Sequence, residues 1–167
     1  MYFFGFLLCI WFNEVVVCWE NHYDTNLEFS CPTNSVITTM VSIHSNYFGD
    51  RVWRFSCDKK VKLGTSIWSY YRNDYGAYLE FKFPQNFVLT GMGGMHRNEG
   101  NDRRYKFRYS RILGKIQGSC KWTCYLNDLD RKLNYNVPCQ YYITGIRSTF
   151  SKDHEDRQFY LRICKFN

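Results

Sequence analysis

Three copies of one motif constrain the fold of this chain more than any other feature of its sequence. The motif, Asp-Arg-x-aromatic-x-apolar, starts at intervals of 52 and 54 residues and reads DRVWRF, DRRYKF and DRQFYL from Asp50, Asp102 and Asp156. Thirteen residues before each Asp lies an aliphatic residue followed by Thr, at positions 37, 89 and 143. Two motifs that recur in register at such a period indicate three pseudo-symmetric repeats of about 52 residues.

Each repeat has the sequence pattern of two β-strands. After every Asp-Arg pair, apolar and polar residues alternate, which places Trp53 and Phe55 on one face and Arg54 on the other. The upstream segment of each repeat is β-branched and aromatic, and a loop of mainly small polar residues joins the two segments. We therefore predict an all-β, disulfide-stapled fold. A β-prism is favoured because a repeat of this length can hold a four-stranded sheet, and a β-trefoil is the alternative.

The Asp-Arg motifs admit two interpretations. Three equivalent ligand pockets would make them a functional site. Alternatively, each Asp caps a turn and each Arg braces neighbouring carbonyls or carboxylates. Recurrence beside core aromatic residues in all three repeats favours this structural role, which is predicted for Asp50, Arg51, Trp53, Asp102, Arg103, Tyr105, Asp156, Arg157 and Phe159.

The N-terminal segment is predicted to be a signal peptide, residues 1–18, followed by one domain, residues 19–167. Its apolar run from Tyr2 to Phe12 is shorter than the ~20 residues that span a bilayer, and Val16 and Cys18 are small enough for cleavage before Trp19. A buried N-terminal strand is the alternative. The mature chain would carry 22 basic and 14 acidic residues, a net charge of +8. This charge favours extracellular polyanions as partners over nucleic acid, and no membrane span is expected.

Basic residues concentrate in the second repeat. Arg104, Lys106 and Arg108 alternate along a strand with ~6.6–7 Å between neighbours, a spacing suited to successive sulfates or carboxylates of a polysaccharide. The alternative is an ordinary solvated strand face. We predict glycosaminoglycan binding by Arg104, Lys106, Arg108 and Arg111.

Catalytic and metal-binding motifs are not recognised in the sequence. His44 and His96 share one position of the repeat, but the third copy has Phe150 there, so we interpret both histidines as structural or surface residues. We expect no enzyme activity, no metal and no cofactor. The exposed aromatic candidates Trp68, Tyr70 and Tyr71 either stack on sugar rings or cover a neighbouring sheet.

The triplicated motif, together with CPTNSVITTMVSI at 31–43, YYITGIRSTFS at 141–151 and DRQFYLRIC at 156–164, resembles the dermatopontin family. This is a family of extracellular-matrix proteins with invertebrate haemagglutinin and aggregation-factor relatives. The resemblance runs from Trp19 to about Cys164. Vertebrate members have two adjacent cysteines where this chain has Tyr109 and Ser110.

This resemblance implies a secreted, non-catalytic adaptor of the extracellular matrix. Such a protein would bind sulfated proteoglycan chains and matrix proteins such as collagen, and would support cell–matrix adhesion and collagen-fibril organisation. A secreted lectin or haemagglutinin of innate defence is the alternative, with its ligand near Trp68, Tyr70 or the Asp-Arg turns.

Six cysteines remain after removal of residues 1–18, and an even number in a secreted chain predicts three disulfides, with fifteen possible connectivities. The family resemblance implies the pairs Cys31–Cys57 and Cys124–Cys164, and it leaves Cys120 to pair with Cys139.

Overall fold

The computed structural model describes residues 9–12 and 15–167, and it describes side chains for residues 18–58 and 61–167. These residues form β-strands joined by turns and loops, without a helix, so the predicted all-β class is confirmed for the described part of the chain. The strands are β1 (Cys9–Phe12), β2 (Val15–Cys18), β3 (Leu27–Ser30), β4 (Ser35–Val36), β5 (Thr39–Ser45), β6 (Asp50–Ser56), β7 (Lys59–Lys60), β8 (Leu63–Trp68), β9 (Leu79–Lys82), β10 (Phe87–Arg97), β11 (Asp102–Ile112), β12 (Gln117–Trp122), β13 (Leu133–Asn136), β14 (Tyr141–Ser151) and β15 (Asp156–Phe166).

The N-terminal strands β1 and β2 pair as an antiparallel hairpin in which Cys9 lies opposite Cys18. The predicted signal peptide includes residues 1–8, 13 and 14, which lie outside the described residues. Its removal therefore stays a prediction.

Each repeat contributes one antiparallel hairpin: β5–β6, β10–β11 or β14–β15. The second strand of every hairpin begins at the Asp of the motif. The residue before that Asp has a positive φ in all three turns, at Gly49 (55°), Asn101 (44°) and Glu155 (49°). The three motifs therefore begin their strands from turns of the same conformation.

The repeats are interleaved by short strands that pair outside their own repeat. The strand β3 precedes the first hairpin but pairs with β10 of the second. Likewise, β9 pairs with β14 of the third hairpin, and β13 pairs with β5 of the first. The main sheets are thus β3-β10-β11-β8, β12-β15-β14-β9 and β13-β5-β6, linked in a cycle. Whether this arrangement is a β-prism or a β-trefoil stays a prediction.

The main hydrophobic core collects the same positions from the three repeats. Trp53, Tyr105 and Phe159 meet edge to face, with centroid distances of 5.1–6.2 Å and interplanar angles of 83–89°. Burying a side chain of this size stabilises the fold by roughly 1.5–3 kcal/mol. Around them lie further equivalent sets with at most 8% exposure: Leu27, Leu79 and Leu133; Met40, Met92 and Ile146; Phe55, Phe107 and Leu161.

The disulfides agree with the expectation at one pair and contradict it at the others. Cys31 is bonded to Cys57, as the family resemblance implied. Cys120 is bonded to Cys164, so the predicted pairs Cys120–Cys139 and Cys124–Cys164 are wrong. The reason is strand register: Cys120 on β12 lies directly opposite Cys164 on β15, with 4.0 Å between the Cα atoms. Among the described cysteines, Cys18 is also disulfide-bonded, whereas Cys124 and Cys139 are exposed free thiols.

Candidate functional site

The three Asp-Arg pairs meet in one place and form a closed ring of ion pairs, here called the Asp–Arg ring. Every guanidinium binds the carboxylate of another repeat through two hydrogen bonds, and all six side chains belong to residues at most 5% exposed. The Nη2–Oδ2 distances are 2.6–2.7 Å, and the pairs are Arg51 with Asp156, Arg103 with Asp50, and Arg157 with Asp102. The ring therefore joins all three repeats directly.

Backbone groups complete the hydrogen bonding of the ring. Each Asp accepts one backbone N–H at 2.6–2.9 Å from a residue with positive φ, at Asp24, Gly76 or Asp130. Each Arg donates to a backbone carbonyl at 2.8–3.0 Å, that of Arg131, Thr25 or Ala77. Buried charges are costly unless paired and hydrogen-bonded, and these charges are both.

Three asparagines that the sequence analysis missed anchor the motif strands. The Oδ1 atom of Asn73 accepts the N–H of Tyr105 at 2.9 Å, and its Nδ2 donates to the carbonyl of Arg103 at 3.1 Å. Asn21 and Asn127 make the same two bonds in the other repeats. A signal existed in the sequence, because these asparagines also lie 52 and 54 residues apart, each six residues before a buried Leu.

The turns before the motif cover the Asp–Arg ring. Gly49 lies against Asn101, and Asn101 donates a hydrogen bond to Glu155 at 2.8 Å. The pocket between these turns and the ring has room for about one water molecule, and Tyr105 lines it together with the ring. Burial raises the pKa of Tyr105. Because the ring side chains are buried, a glycan cannot contact them in this conformation.

Arg104, Lys106 and Arg108, here called the basic row, lie partly exposed on the outer face of β11. Arg104 stacks on two aromatic rings, at 4.7 Å from the centroid of Tyr71 and 4.9 Å from that of Tyr75. Lys106 lies 4.8 Å from the centroid of Trp68. Trp68, Tyr71 and Tyr75 thus hold two of the three cations of the row, a contact that the sequence did not predict for Trp68 or Tyr71.

Glycines of β10 form the floor under the basic row. Gly93 lies opposite Lys106 and Gly91 opposite Arg108. A Cβ added at Gly93 would lie 2.7 Å from Cε of Lys106, so the lysine stem rests directly on the backbone. The Lys106 ammonium also pairs with Glu28 at 2.9 Å.

Arg111 does not belong to the basic row. Residues 104, 106 and 108 alternate along β11, and the same face continues into the buried residues Ser110 and Ile112. Strand alternation directs Arg111 to the opposite side, where it is exposed. The structure therefore brings together three of the four basic residues that the sequence grouped.

Two groups of possible metal ligands flank the Asp–Arg ring. One consists of His44, Asp130 and Asp156, and the other of His96, Asp24 and Asp50; in each, one donor atom per residue lies within 4.8 Å of the others. In the first group, His154 donates from Nδ1 to Asp130 at 2.6 Å, and this bond raises the pKa of His154.

The fold and its buried Asp–Arg ring define a class of all-β, disulfide-bonded proteins built around a repeated motif. Residues 21–167 match the model of the family described as Dermatopontin, so the chain belongs to the dermatopontin family, as its motifs suggested. None of the described residues forms a helix long and apolar enough to span a membrane.

Relatives of the chain carry several names. It is 33% identical to the hemagglutinin/amebocyte aggregation factor of Limulus polyphemus over 88% of this chain and 87% of that protein. It is 34% identical to Millepora cytotoxin-1 of Millepora dichotoma, over 86% of this chain and 65% of the relative. It is 30% identical to the dermatopontin of Biomphalaria glabrata, over 83% of this chain and 93% of that protein. No solved structure matches the chain.

Proposed function

We propose that this protein is a secreted, non-catalytic adaptor of the extracellular matrix that binds sulfated glycosaminoglycans through the basic row. Residues 1–18 would serve as its signal peptide and residues 19–167 as the adaptor domain. Family membership supports the matrix role. The observation that carries the proposal is the alignment of Arg104, Lys106 and Arg108 on one outer sheet face, with Arg104 and Lys106 held by aromatic rings.

The geometry of the basic row suits a linear polyanion. Alternate residues of a strand project ~6.6–7 Å apart, so the row presents its cations in one line. Arg97 extends the line, since it lies 4.2 Å from the same Tyr75 ring on which Arg104 stacks. Rings that hold the cations in place reduce the side-chain entropy lost on binding. Arginine can then bind a sulfate through two hydrogen bonds.

The Asp–Arg ring has a different role in this proposal. Its charges are paired with each other, so they support the fold rather than a reaction or a ligand, and we propose a prism-like architecture around the ring. Matrix proteins such as collagen would bind elsewhere on the surface, and collagen-fibril organisation and cell–matrix adhesion would follow from joining both partners.

A secreted lectin or haemagglutinin is the second candidate function. Two relatives are named as a hemagglutinin and a cytotoxin, which favours a defence role. A cavity of about 80 Å³ next to the basic row, lined by Asn34, Ser35, Ser66 and Arg108 among others, offers polar groups to a neutral sugar. Tyr70 is 90% exposed and is free to stack on a sugar ring, whereas Lys106 already occupies the face of Trp68.

A glycan array at about 0.05 and 0.5 M NaCl separates the two functions, because salt screens exposed charges and leaves sugar stacking intact. The adaptor predicts binding to heparin and dermatan sulfate that falls steeply with salt and weakens further in R104Q/K106Q/R108Q. The lectin predicts binding to neutral sugars that persists at high salt and is lost in Y70A. Binding to sulfated chains that ignores salt would overturn the adaptor proposal.

A further inference from the structure

We propose that the two His–Asp groups beside the Asp–Arg ring are zinc-binding sites. The first site consists of His44, Asp130 and Asp156, and the second of His96, Asp24 and Asp50. They are equivalent places between neighbouring repeats, and each joins a histidine of one repeat to a ring carboxylate and a further carboxylate of another. This proposal does not depend on the proposed glycosaminoglycan binding, because the sites and the basic row share no residue.

The ligand atoms have a separation suited to zinc. Nδ1 of His44 lies 3.5 Å from Oδ1 of Asp130, and Nδ1 of His96 lies 3.4 Å from Oδ1 of Asp24. Two ligands of a tetrahedral zinc ion with bonds of ~2.0–2.1 Å are about 3.3–3.4 Å apart. These two ligands of each site therefore have the spacing of a zinc pair, and the ring carboxylate has an oxygen within 4.8 Å of both.

Hydrogen bonding at His44 leaves a place for a cation. Its Nε2 lies 3.2 Å from the carbonyl oxygen of Glu155, which can only accept, so Nε2 carries the proton. In the neutral imidazole, Nδ1 then presents a lone pair. That lone pair faces the Asp130 carboxylate and, at 3.1 Å, the amide oxygen of Asn46. A lone pair and a carboxylate oxygen 3.5 Å apart leave room for a proton or a metal ion between them.

The first site also contains a buried polar atom that is unsatisfied among the described residues, Oδ1 of Asp130. Native proteins rarely leave such atoms without a partner, because the lost hydration costs about 1–3 kcal/mol. In the second site the side chain of His96 is 0% exposed, and its Nδ1 faces Asp24.

The third equivalent place beside the ring, next to Asp102, shows that the histidine and the extra carboxylate change together. There Phe150 takes the position of His44 and His96, and Gly76, from the loop before β9, takes the position of Asp24 and Asp130. Phe150 there packs on Arg157, with 5.4 Å from the guanidinium to the ring centroid. The sequence alone favoured a structural role for the histidines because the third copy lacks one, but the matching loss of the carboxylate indicates a shared ligand.

Charge also distinguishes the two sites from the third equivalent place beside the ring. In each site the ring carboxylate is paired with an Arg, so Asp24 or Asp130 contributes one negative charge that no ring Arg neutralises. Gly76 contributes none. One imidazole with two carboxylates suits zinc, whereas sites made only of oxygen ligands suit calcium or magnesium. His154 would orient Asp130 through the second carboxylate oxygen.

The third equivalent place provides the variants that test this proposal. H44F/D130G and H96F/D24G each copy Phe150 and Gly76, and the positive φ of Asp24 (61°) and Asp130 (60°) suits glycine. Both variants should fold, because the third equivalent place beside the ring already uses these residues. The experiments use the mature chain with C124S/C139S, since exposed thiols bind zinc by themselves.

The measurements are zinc titration by calorimetry and cobalt titration by absorption at neutral pH, after removal of metals by a chelator. We expect two ions per parent chain, one in each double variant and none in the quadruple variant. Zinc should also raise the unfolding midpoint of the parent chain and leave that of the quadruple variant unchanged. Two results overturn the proposal. One is a parent chain that binds fewer than two ions, as it would if protons alone occupied the sites. The other is a quadruple variant that binds as many ions as the parent chain.

Discussion

The Asp–Arg ring and the outer faces of the sheets differ in how far the three repeats agree. At the ring, each repeat supplies the same residue types in the same contacts, down to the Asn that anchors the motif strand. On the outer faces, the positions of Arg104, Lys106 and Arg108 hold Gln158, Tyr160 and Arg162 in the third repeat and Val52, Arg54 and Ser56 in the first.

This difference follows from what the residues contact. A ring residue contacts another repeat, so a change in one repeat leaves a buried charge unpaired in the next. A residue on an outer face contacts solvent and its own sheet, and it can differ between repeats at little cost to stability. The ring therefore accounts for the fold. A function specific to one repeat is expected at residues that only this repeat has, such as the basic row.

The largest effect is expected from breaking the ring. Arg103→Ala leaves the Asp50 carboxylate buried without its bidentate partner, and we expect a loss of about 3–5 kcal/mol in the free energy of unfolding. Urea denaturation measures it. The neighbouring Arg104→Ala is the control and should cost less than about 1 kcal/mol. Equal losses in both variants would contradict a ring that holds the repeats together.

A comparable effect is expected at the disulfide between β12 and β15. C120S/C164S opens a loop with a sequence separation of 44, which on the chain-entropy model costs about 4 kcal/mol. Heparin affinity should stay unchanged, because the bridge lies on a different sheet from the basic row. Peptide mapping without reduction checks the pairing directly, and a Cys124–Cys164 peptide would contradict it.

A smaller effect is expected at the asparagines. Asn73→Ala removes the acceptor of the Tyr105 N–H and the donor to the Arg103 carbonyl, both buried, and should destabilise the protein by about 2–3 kcal/mol. Thermal unfolding compared with Asn134→Ala, an exposed position of β13, checks it. Indistinguishable midpoints for the two variants would show that these bonds add nothing to the ring.

The smallest effect is expected at the floor of the basic row. Gly93→Ala places a methyl group against the flexible end of Lys106, so the lysine must move while the sheet remains. We expect about a two- to three-fold weaker heparin affinity, which is about 0.4–0.7 kcal/mol. Gly118→Ala, where the added Cβ meets only ordinary contacts at 3.6 Å, is the control. An affinity unchanged by Gly93→Ala would mean that the position of Lys106 is unimportant.

The local structure could be predicted from the sequence, whereas contacts between repeats could not. Alternation after each Asp-Arg pair identified the motif strands and the buried Trp53, Tyr105 and Phe159, because a period of two is a property of the strand itself. Pairing of β3 with β10 depends on contacts between distant segments. Which Asp each Arg binds also depends on such distant contacts. No local pattern in the sequence therefore reveals that the ion pairs join different repeats.

One error has a specific cause. The cysteine pairing was wrong because the register of β12 against β15 places Cys120 opposite Cys164, and that register is not visible in the sequence. Arg111 lies apart from the basic row with which the sequence grouped it, and its binding of a glycosaminoglycan stays a prediction. The contact of Arg104 with Tyr71 and Tyr75 could not be foreseen, since both tyrosines lie in a loop.

The most direct test of the account compares two variants of equal charge in heparin affinity and in stability. R104Q/K106Q/R108Q removes the basic row, and R54Q/R111Q/R162Q removes three arginines elsewhere, two of them at the equivalent positions of the other repeats. We predict that the first variant loses at least about ten-fold in affinity, about 1.4 kcal/mol, while its unfolding free energy stays within about 1 kcal/mol of the wild type. The second should keep most of its affinity. Equal loss of affinity in the two variants would contradict a function confined to the basic row.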